Sequence, residues 1–207
     1  MARKTVRNEK VDGLSKTELD ILQSLFPEGK DITLKEIMRK SGYSYEPVYR
    51  TLQGLSKKGI ISAKKFGKTL VYTLDFKKEY SKIAFYLYAK ERLKNFRKKH
   101  FTICSALSDL SEDKTEILAI FGSYAKGNER KESDIDLICA TSEVEELKNE
   151  IHSLKRSHNL DFSPVVTSKT EFSKIRIENK EFWHDLVKYG IIFKGYELFY
   201  YYAYLAK

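Results

Sequence analysis

The chain has 207 residues, an apolar fraction of 42% and a formal net charge of +9. This composition supports a buried core and excludes a disordered or collagen-like chain, and the longest apolar runs are too short to span a membrane. No apolar segment follows the basic N-terminus, so we expect no secretory signal. Two widely spaced cysteines, Cys104 and Cys139, have no metal-ligand spacing and favour a reducing, cytoplasmic location without a disulfide.

Charge divides the chain into a basic front and a mildly acidic back. Residues 1–110 carry 24 Lys and Arg against 12 Asp and Glu, whereas residues 111–207 carry 14 against 17. A basic surface steers a protein toward polyanions, although lysine-rich surfaces also serve solubility alone. The asymmetry indicates two roles, and we expect domains at residues 1–75 and 111–207, linked by a basic helix over residues 76–110.

Local signals in the front predict three short helices followed by a β-hairpin. Two S/T-x-x-E capping boxes, Ser15 with Glu18 and Thr33 with Glu36, begin the first two helices. The third helix carries an apolar stripe at helical spacing. Two strand-like segments then flank Gly67-Lys68, which is typical of a hairpin turn.

The stretch PVYRTLQGLSKKGII resembles the recognition helix and first wing strand of winged helix-turn-helix transcription regulators, and the resemblance covers about residues 12–75. It implies that the third helix enters the major groove of duplex DNA while the wing holds phosphates. A module for protein–protein contacts is the alternative use of such a fold. The candidate DNA-binding residues are Ser44, Tyr45, Tyr49, Arg50 and Gln53 on or near the third helix, with Lys64, Lys65 and Lys68 on the wing.

Residues 77–110 contain no Gly or Pro and place apolar residues at helical separations among many lysines. We expect one long helix, or two end to end, with the second half packed on the back domain. The basic cluster at residues 97–100 is expected to be a solvated face, with a contact to phosphate as the alternative.

The back contains the stretch FGSYAKGNERKESDIDL, from Phe121 to Leu137, which begins at the last residue of the predicted apolar strand ILAIF. The Gly122-Ser123 turn leads into a short helix predicted from Tyr124, and unpaired backbone N–H groups at such a helix start favour phosphate. In the strand that follows, Asp134 and Asp136 are predicted to project from one face. Adjacent carboxylates repel each other unless a cation or proton lies between them, and magnesium binds oxygen ligands together with phosphate.

The pattern G-S-x10-D-x-D resembles the signature of nucleotidyltransferases of the DNA polymerase beta superfamily, above all the small minimal nucleotidyltransferases. The resemblance implies an α+β fold, with a mixed sheet flanked by helices behind the winged helix domain, and a two-metal mechanism. Asp134 and Asp136 would then be catalytic ligands of Mg²⁺ or Mn²⁺, with Asp161 in NLDFSPVVTS as the third. Glu171 is the alternative third ligand, because Pro164 cannot donate to a sheet ladder and shortens the strand after Asp161.

The same resemblance assigns the phosphate-binding residues. A helix predicted from Ser142, with Glu145 as its capping-box partner, would cross over to the strand of Asp161, and GIIF near the C-terminus is predicted to be the last strand. The candidate nucleotide-binding residues are Gly122 and Ser123, which would grip the terminal phosphates, and Lys126 and Arg130, which would offset their charge.

The leading hypothesis is a cytoplasmic enzyme that transfers NMP from an NTP, with ATP expected, to a hydroxyl acceptor. Small members of this branch often act as antitoxins that modify a HEPN-type toxin with AMP, and a fused DNA-binding domain suits regulation of such an operon. The alternatives are a transcription regulator whose back domain only senses nucleotide, and a small-molecule nucleotidyltransferase. The expected partners are the NTP, duplex DNA, such a toxin and a second copy in a homodimer, but no membrane.

Overall fold

The structure is a computed structural model that describes residues 10, 11, 13–111 and 113–206. Its internal contacts divide the chain into two compact units, residues 1–88 (the front unit) and residues 89–207 (the back unit). The division falls inside a long helix and therefore splits the segment 76–110, which we expected to link the domains. No helix in the described part of the chain is both long and apolar enough to cross a membrane.

The front unit contains the predicted helices and hairpin. A strand that we did not predict, at residues 32–33, pairs antiparallel with the second hairpin strand and completes a three-stranded sheet. In chain order the elements are β1 (Lys10–Val11), β2 (Leu14–Ser15), α1 (Lys16–Ser24), β3 (Ile32–Thr33), α2 (Leu34–Ser41), α3 (Tyr45–Lys57), β4 (Ile61–Phe66) and β5 (Thr69–Leu74).

Both capping boxes predicted in the front unit are confirmed. The Ser15 hydroxyl accepts the Glu18 N–H at 3.2 Å, and the Glu18 carboxylate accepts the Ser15 N–H at 2.8 Å. Thr33 and Glu36 make the same reciprocal pair at 3.3 and 2.9 Å. Gly42 ends α2 at φ 76°, in the left-handed conformation that favours glycine. These local hydrogen bonds fix where the first two helices begin and end.

Helices α4 (Glu79–Lys99) and α5 (Phe101–Ser108) run end to end over the basic segment, as predicted. His100 separates them at φ −127° and ψ 52°, outside the helical region. Leu93 and Phe96 of α4 lie in the hydrophobic core of the back unit, together with the buried residues of α5, Ile103, Cys104, Ala106 and Leu107. The C-terminal half of α4 is therefore part of the back unit.

The back unit is built on a mixed four-stranded sheet in the order β8-β7-β6-β9. Strand β6 pairs antiparallel with β7 and β9, whereas β7 and β8 are parallel. A parallel pair needs a crossover connection, and α7 provides it. In chain order the elements are β6 (Ile117–Ile120), α6 (Gly122–Lys126), β7 (Ile135–Ala140), α7 (Val144–His158), β8 (Phe162–Thr167), α8 (Lys169–Glu178), α9 (Lys180–Tyr189), β9 (Ile191–Lys194), α10 (Tyr196–Tyr200) and a π-helix (Tyr201–Leu205).

The capping box predicted at Ser142 and Glu145 is wrong. Helix α7 has Glu143 as its N-cap residue. The Thr141 hydroxyl accepts the Glu143 N–H at 2.9 Å in the turn before the helix. The Glu145 carboxylate pairs with Lys148 at 2.7 Å instead of capping the helix. The helix therefore starts one residue later than predicted, and the S-x-x-E pattern forms no capping box here.

Candidate functional site

The Gly122 turn lies directly against the Asp136 side chain. Phe121, the N-cap residue of α6, donates its N–H to the Asp136 carbonyl at 3.0 Å, which continues the β6–β7 pairing by one residue. Gly122 has φ 68°, and a Cβ atom there would lie 2.0 Å from the Asp136 Oδ2 atom. Since real Cβ atoms do not approach an oxygen so closely, only glycine permits this contact. The helix begins at Gly122 itself, two residues earlier than predicted.

Asp134 and Asp136 form a partly buried carboxylate pair at the start of β7. Ile135 and Leu137 point into the core, whereas Asp136 is half-buried on the other face and Asp134 is exposed just before the strand. Burial, and then the negative charge of Asp134, raise the pKa of Asp136 above its ordinary value. The ionised pair is therefore destabilised, and a cation between the carboxylates would relieve the repulsion.

Asp161 precedes β8 and lies beside Asp134. Its carbonyl accepts the Ile135 N–H at 2.8 Å, and the parallel register pairs Ile135 with Phe162. The Asp161 Oδ1 atom lies 2.6 Å from the Lys155 Nζ atom of α7. This hydrogen-bonded ion pair, with a smaller contribution from Asp134, lowers the pKa of Asp161. The backbone thus brings Asp161 next to the other two aspartates, while its carboxylate is bound to a lysine.

Among the residues that the structure describes, no group of three or more Asp, Glu, His or Cys side chains is arranged to hold a metal ion. The residues nevertheless fit a divalent cation in chemistry, because carboxylate oxygens are the ligands that Mg²⁺ prefers. The repulsion between Asp134 and Asp136 and the close approach permitted by Gly122 support the same fit. Glu171, the alternative third ligand, caps α8 instead, with its carboxylate accepting the Ser168 N–H at 2.8 Å.

Three further candidate nucleotide-binding residues lie on α6 or in the loop after it. Ser123 is half-buried in the first turn of α6, and Arg130 is exposed and donates its backbone N–H to the Ser133 hydroxyl at 2.9 Å. Lys126 makes an ion pair with Asp185 of α9 at 2.6 Å, which raises the pKa of Lys126 and lowers that of Asp185. Phosphate would therefore have to compete with Asp185 for Lys126.

A cleft of about 390 Å³ opens beside Gly122, between the Gly122 turn and α9. Its lining includes the Phe121 and Phe182 rings, which meet edge to face with centroids 5.0 Å apart, and also Lys126 and Tyr189. Sequence reasoning missed the α9 residues, because their amphipathic helix gives no local signal of a site. The volume lies within the range of small-ligand pockets.

The candidate DNA-binding residues of α3 lie on an exposed face. Tyr45 is 53% exposed, and its ring stacks on Tyr49 with centroids 5.5 Å apart. Arg50 makes an ion pair with Glu46 at 2.6 Å in which both side chains stay largely in solvent. Ser44 is the N-cap residue, and Gln53 lies exposed one turn after Tyr49. The face offers aromatic rings, an arginine and an amide.

The wing adds lysines and one unpredicted aromatic residue. Lys64, Lys65 and Lys68 are all exposed on the hairpin of β4 and β5. Phe66 is 52% exposed at the tip, and the Lys64 Nζ atom lies 4.8 Å from its ring centroid. An exposed aromatic residue beside the turn could have been found in the sequence, since it interrupts the lysine run.

Two family models match the chain. Residues 102–196 match "Polymerase beta, Nucleotidyltransferase", and residues 10–77 match "Sugar-specific transcriptional regulator TrmB". The front of the chain thus matches a TrmB-type regulator, and the back matches a polymerase beta-type nucleotidyltransferase. Both resemblances found in the sequence, and the α+β fold class, are confirmed.

Two curated relatives match parts of the chain. A protein of Pyrococcus abyssi named as uncharacterized is 32% identical over 69 residues, which are 33% of this chain and 21% of that protein. A protein of Methanocaldococcus jannaschii named "Putative protein adenylyltransferase" is 29% identical over 86 residues, 39% of this chain and 80% of that protein. The chain thus matches about a fifth of the length of the first relative. The comparison with solved structures found no match.

Proposed function

We propose that the nucleotidyltransferase domain transfers AMP from ATP to a hydroxyl group of a partner protein with the help of a divalent metal ion, and that the helix-turn-helix domain binds duplex DNA. The observation that carries the enzymatic part is the approach of the Asp136 carboxylate to Gly122 beside a cleft of about 390 Å³. A glycine turn, a partly buried carboxylate and a cleft are neighbours there. This combination suits nucleotidyl transfer.

The candidate site residues have separate tasks in this proposal. The Ser123 hydroxyl and the backbone N–H groups at the Gly122 turn bind the triphosphate, while Lys126 and Arg130 balance its charge. Asp134, Asp136 and Asp161 would hold Mg²⁺ or Mn²⁺. When bound, the ion would neutralise charge on the triphosphate and lower the pKa of the acceptor hydroxyl.

The transfer itself is a substitution at the α-phosphorus of ATP. The acceptor oxygen forms a bond to that phosphorus, and the bond from the phosphorus to the bridging oxygen of pyrophosphate breaks. The acceptor proton passes to a carboxylate oxygen of Asp161, and pyrophosphate leaves with the bonding electron pair. Binding in the cleft positions the reactants, which is the main task of a protein in phosphoryl chemistry.

A protein acceptor is supported by the name of the Methanocaldococcus jannaschii relative, which covers 39% of this chain. The resemblance to minimal nucleotidyltransferases favours a HEPN-type toxin as that acceptor. The exposed side chains of α3 and the wing support duplex DNA as the ligand of the front unit. Binding to DNA would allow the protein to regulate an operon. Cytoplasmic location and a homodimer complete the proposal.

A regulator that senses nucleotide without catalysis is the second candidate. The ion pair between Lys155 and Asp161 favours it, because this contact occupies an oxygen of the expected third carboxylate. A sensor needs the phosphate-binding turn and the cleft but no complete set of metal ligands. The two candidates therefore differ in whether nucleotide binding leads to a covalent product.

The decisive experiment is incubation of the full chain with α-labelled ATP, Mg²⁺ and a cell lysate. We expect a labelled protein that disappears with EDTA and with Asp136→Asn, with a loss of at least about a hundredfold in transfer. Burial and the Asp134 charge raise the pKa of Asp136, so its ionised form destabilises the fold. Asn should therefore leave the metal-free melting temperature unchanged or slightly higher.

Two results would overturn the enzymatic proposal. Undiminished labelling by the Asn variant would mean that the aspartates are not a catalytic metal site. Calorimetric binding of Mg²⁺-ATP without any labelled product would favour the nucleotide sensor. Equal ATP affinity with Mg²⁺ and with EDTA would exclude a metal clamp at the Gly122 turn.

A further inference from the structure

We propose that Lys155 is the internal counter-ion of the candidate metal site: it pairs with the Asp161 carboxylate and competes with a divalent ion for it. The proposal rests on the proposed function, since it takes Asp161 as a metal ligand. It is carried by the 2.6 Å contact between Lys155 Nζ and Asp161 Oδ1, which joins the crossover helix α7 to the segment before β8.

The position of Lys155 is fixed by the packing of α7 on the sheet. Ile151 and Leu154, on the same helix, are buried in the core of the back unit. Asn159 then ends α7 at φ 51°, a left-handed conformation that turns the chain back toward β8. Lys155 and Asp161 are six residues apart, and the end of the helix brings them together. The side chain of Lys155 is 33% exposed and that of Asp161 66% exposed, so the lysine is the more enclosed partner.

The same helix contains an ion pair of another kind. Lys148 contacts Glu145 at 2.7 Å within α7, an exposed pair three residues apart of the sort common on helix surfaces. Lys155 instead binds Asp161, which the pairing of β7 with β8 brings beside Asp134. Lys148 and Lys155 therefore provide a matched comparison with equal charge, the same helix and different partners.

The Lys155 ammonium and a divalent ion compete because both are cations that bind the Asp161 carboxylate. A cation at Asp161 must either displace the Lys155 ammonium from Oδ1 or bind beside it against repulsion. Removing the ammonium while keeping an apolar side chain of similar length should strengthen metal binding. Partly exposed ion pairs have modest strengths, so we expect about a two- to five-fold lower dissociation constant for the metal.

The test is a titration of the full chain with Mn²⁺ in the absence of nucleotide, followed by electron paramagnetic resonance of the free ion. The variants are Lys155→Met, the control Lys148→Met, and Asp136→Asn. We expect tighter Mn²⁺ binding by Lys155→Met, unchanged binding by Lys148→Met and loss of the site in Asp136→Asn. Melting of the metal-free variants checks that each chain is folded.

Each other outcome has a defined meaning. Equal or weaker Mn²⁺ binding by Lys155→Met, or equal tightening by Lys148→Met, would overturn the counter-ion role alone. Undiminished binding by Asp136→Asn would show that the ion lies elsewhere and would overturn both this role and the proposed metal site. Absence of Mn²⁺ binding in the wild type and in Lys155→Met would also overturn both. Binding that appears only in Lys155→Met would support the role in its strongest form.

Discussion

Most candidate functional side chains of the front unit lie in solvent, whereas Asp136 of the back unit lies partly buried against the Gly122 turn. Arg50 has a side chain that is 77% exposed, and the wing lysines are exposed as well. Asp136 is half-buried, and burial raises its pKa. Deleting a charge that is exposed to solvent has a small effect on its neighbours. The stability of a desolvated carboxylate instead depends strongly on nearby charges, hydrogen bonds and burial. The front unit should therefore respond to substitution gradually and the back unit sharply.

Gly122→Ala should give the largest effect and tests the sharp response of the back unit. The new methyl group would lie 2.0 Å from Asp136 Oδ2, and φ 68° is unfavourable for alanine. We expect nucleotide transfer to fall at least about a hundredfold, because the carboxylate must move. The measurement is the initial rate of transfer with labelled ATP at saturating Mg²⁺.

Gly127→Ala is the matched control for this substitution. Gly127 has φ 72°, almost the same as Gly122, but among the described residues a Cβ atom there has no neighbour within 4 Å. Both variants should lose about 1–2 kcal/mol of stability from backbone strain, yet Gly127→Ala should retain most of its activity. Equal activity in the two variants would show that the contact of Gly122 with Asp136 has no functional role.

Removing two wing lysines should give an intermediate effect and tests the graded response of the front unit. For Lys65→Ala combined with Lys68→Ala, we expect the slope of log affinity for duplex DNA against log salt to fall by about 2, as two phosphate contacts are lost. Affinity at low salt should drop about tenfold. A gel shift series from low to high salt provides the slope.

The control combines Lys174→Ala with Lys180→Ala, at two exposed lysines of the back unit. It changes the net charge of the chain by the same amount as the wing variant. This control should leave the salt slope unchanged. The same decrease in both double variants would mean that only the total charge matters, and the wing would not be the DNA contact.

Thr33→Ala should give the smallest effect and isolates local structure in the front unit. Its hydroxyl accepts the Glu36 N–H at 3.3 Å, so its loss should destabilise α2 by about 1 kcal/mol. Ser44→Ala is the control, because within the described part of the chain the Ser44 hydroxyl caps no backbone N–H of α3. It should cost no more than a few tenths of a kcal/mol. Amide hydrogen exchange of α2 and α3 measures both.

The cap at Thr33 also has a pH signature. Hydrogen bonds from the Thr33 side chain and backbone lower the pKa of Glu36. A depressed carboxyl pKa stabilises the fold above the unfolded-state pKa, and this contribution is lost as the pH falls through the folded-state value. The difference between wild type and Thr33→Ala should therefore shrink in acid. A constant difference would mean that ionised Glu36 is not part of the cap.

The capping boxes show how reliably a local sequence pattern predicts where a helix begins. Those at Ser15 and Thr33 are confirmed because their partners lie within one helical turn. The same spacing at Ser142 failed, since the helix starts one residue later and Glu145 pairs with Lys148. It succeeded at Ser168, where we had regarded the capping residue Glu171 only as an alternative metal ligand. A pattern identifies the groups that can cap, but the neighbouring hydrogen bonds decide which of them do.

The sequence by itself determined the two domain families, the Gly-Ser turn and the aspartate pair. These features depend on short segments, and β6 and β7 are paired strands that are connected by the short helix α6 and a loop. Tertiary structure alone decided that the Asp136 carboxylate lies against Gly122, that α9 lines the cleft, and that Lys155 holds Asp161. The physical reason is that such contacts depend on strand register and on how each helix packs on the sheet. Neither the exact register nor the packing of a helix on the sheet can be derived from the spacing of residues within one short segment.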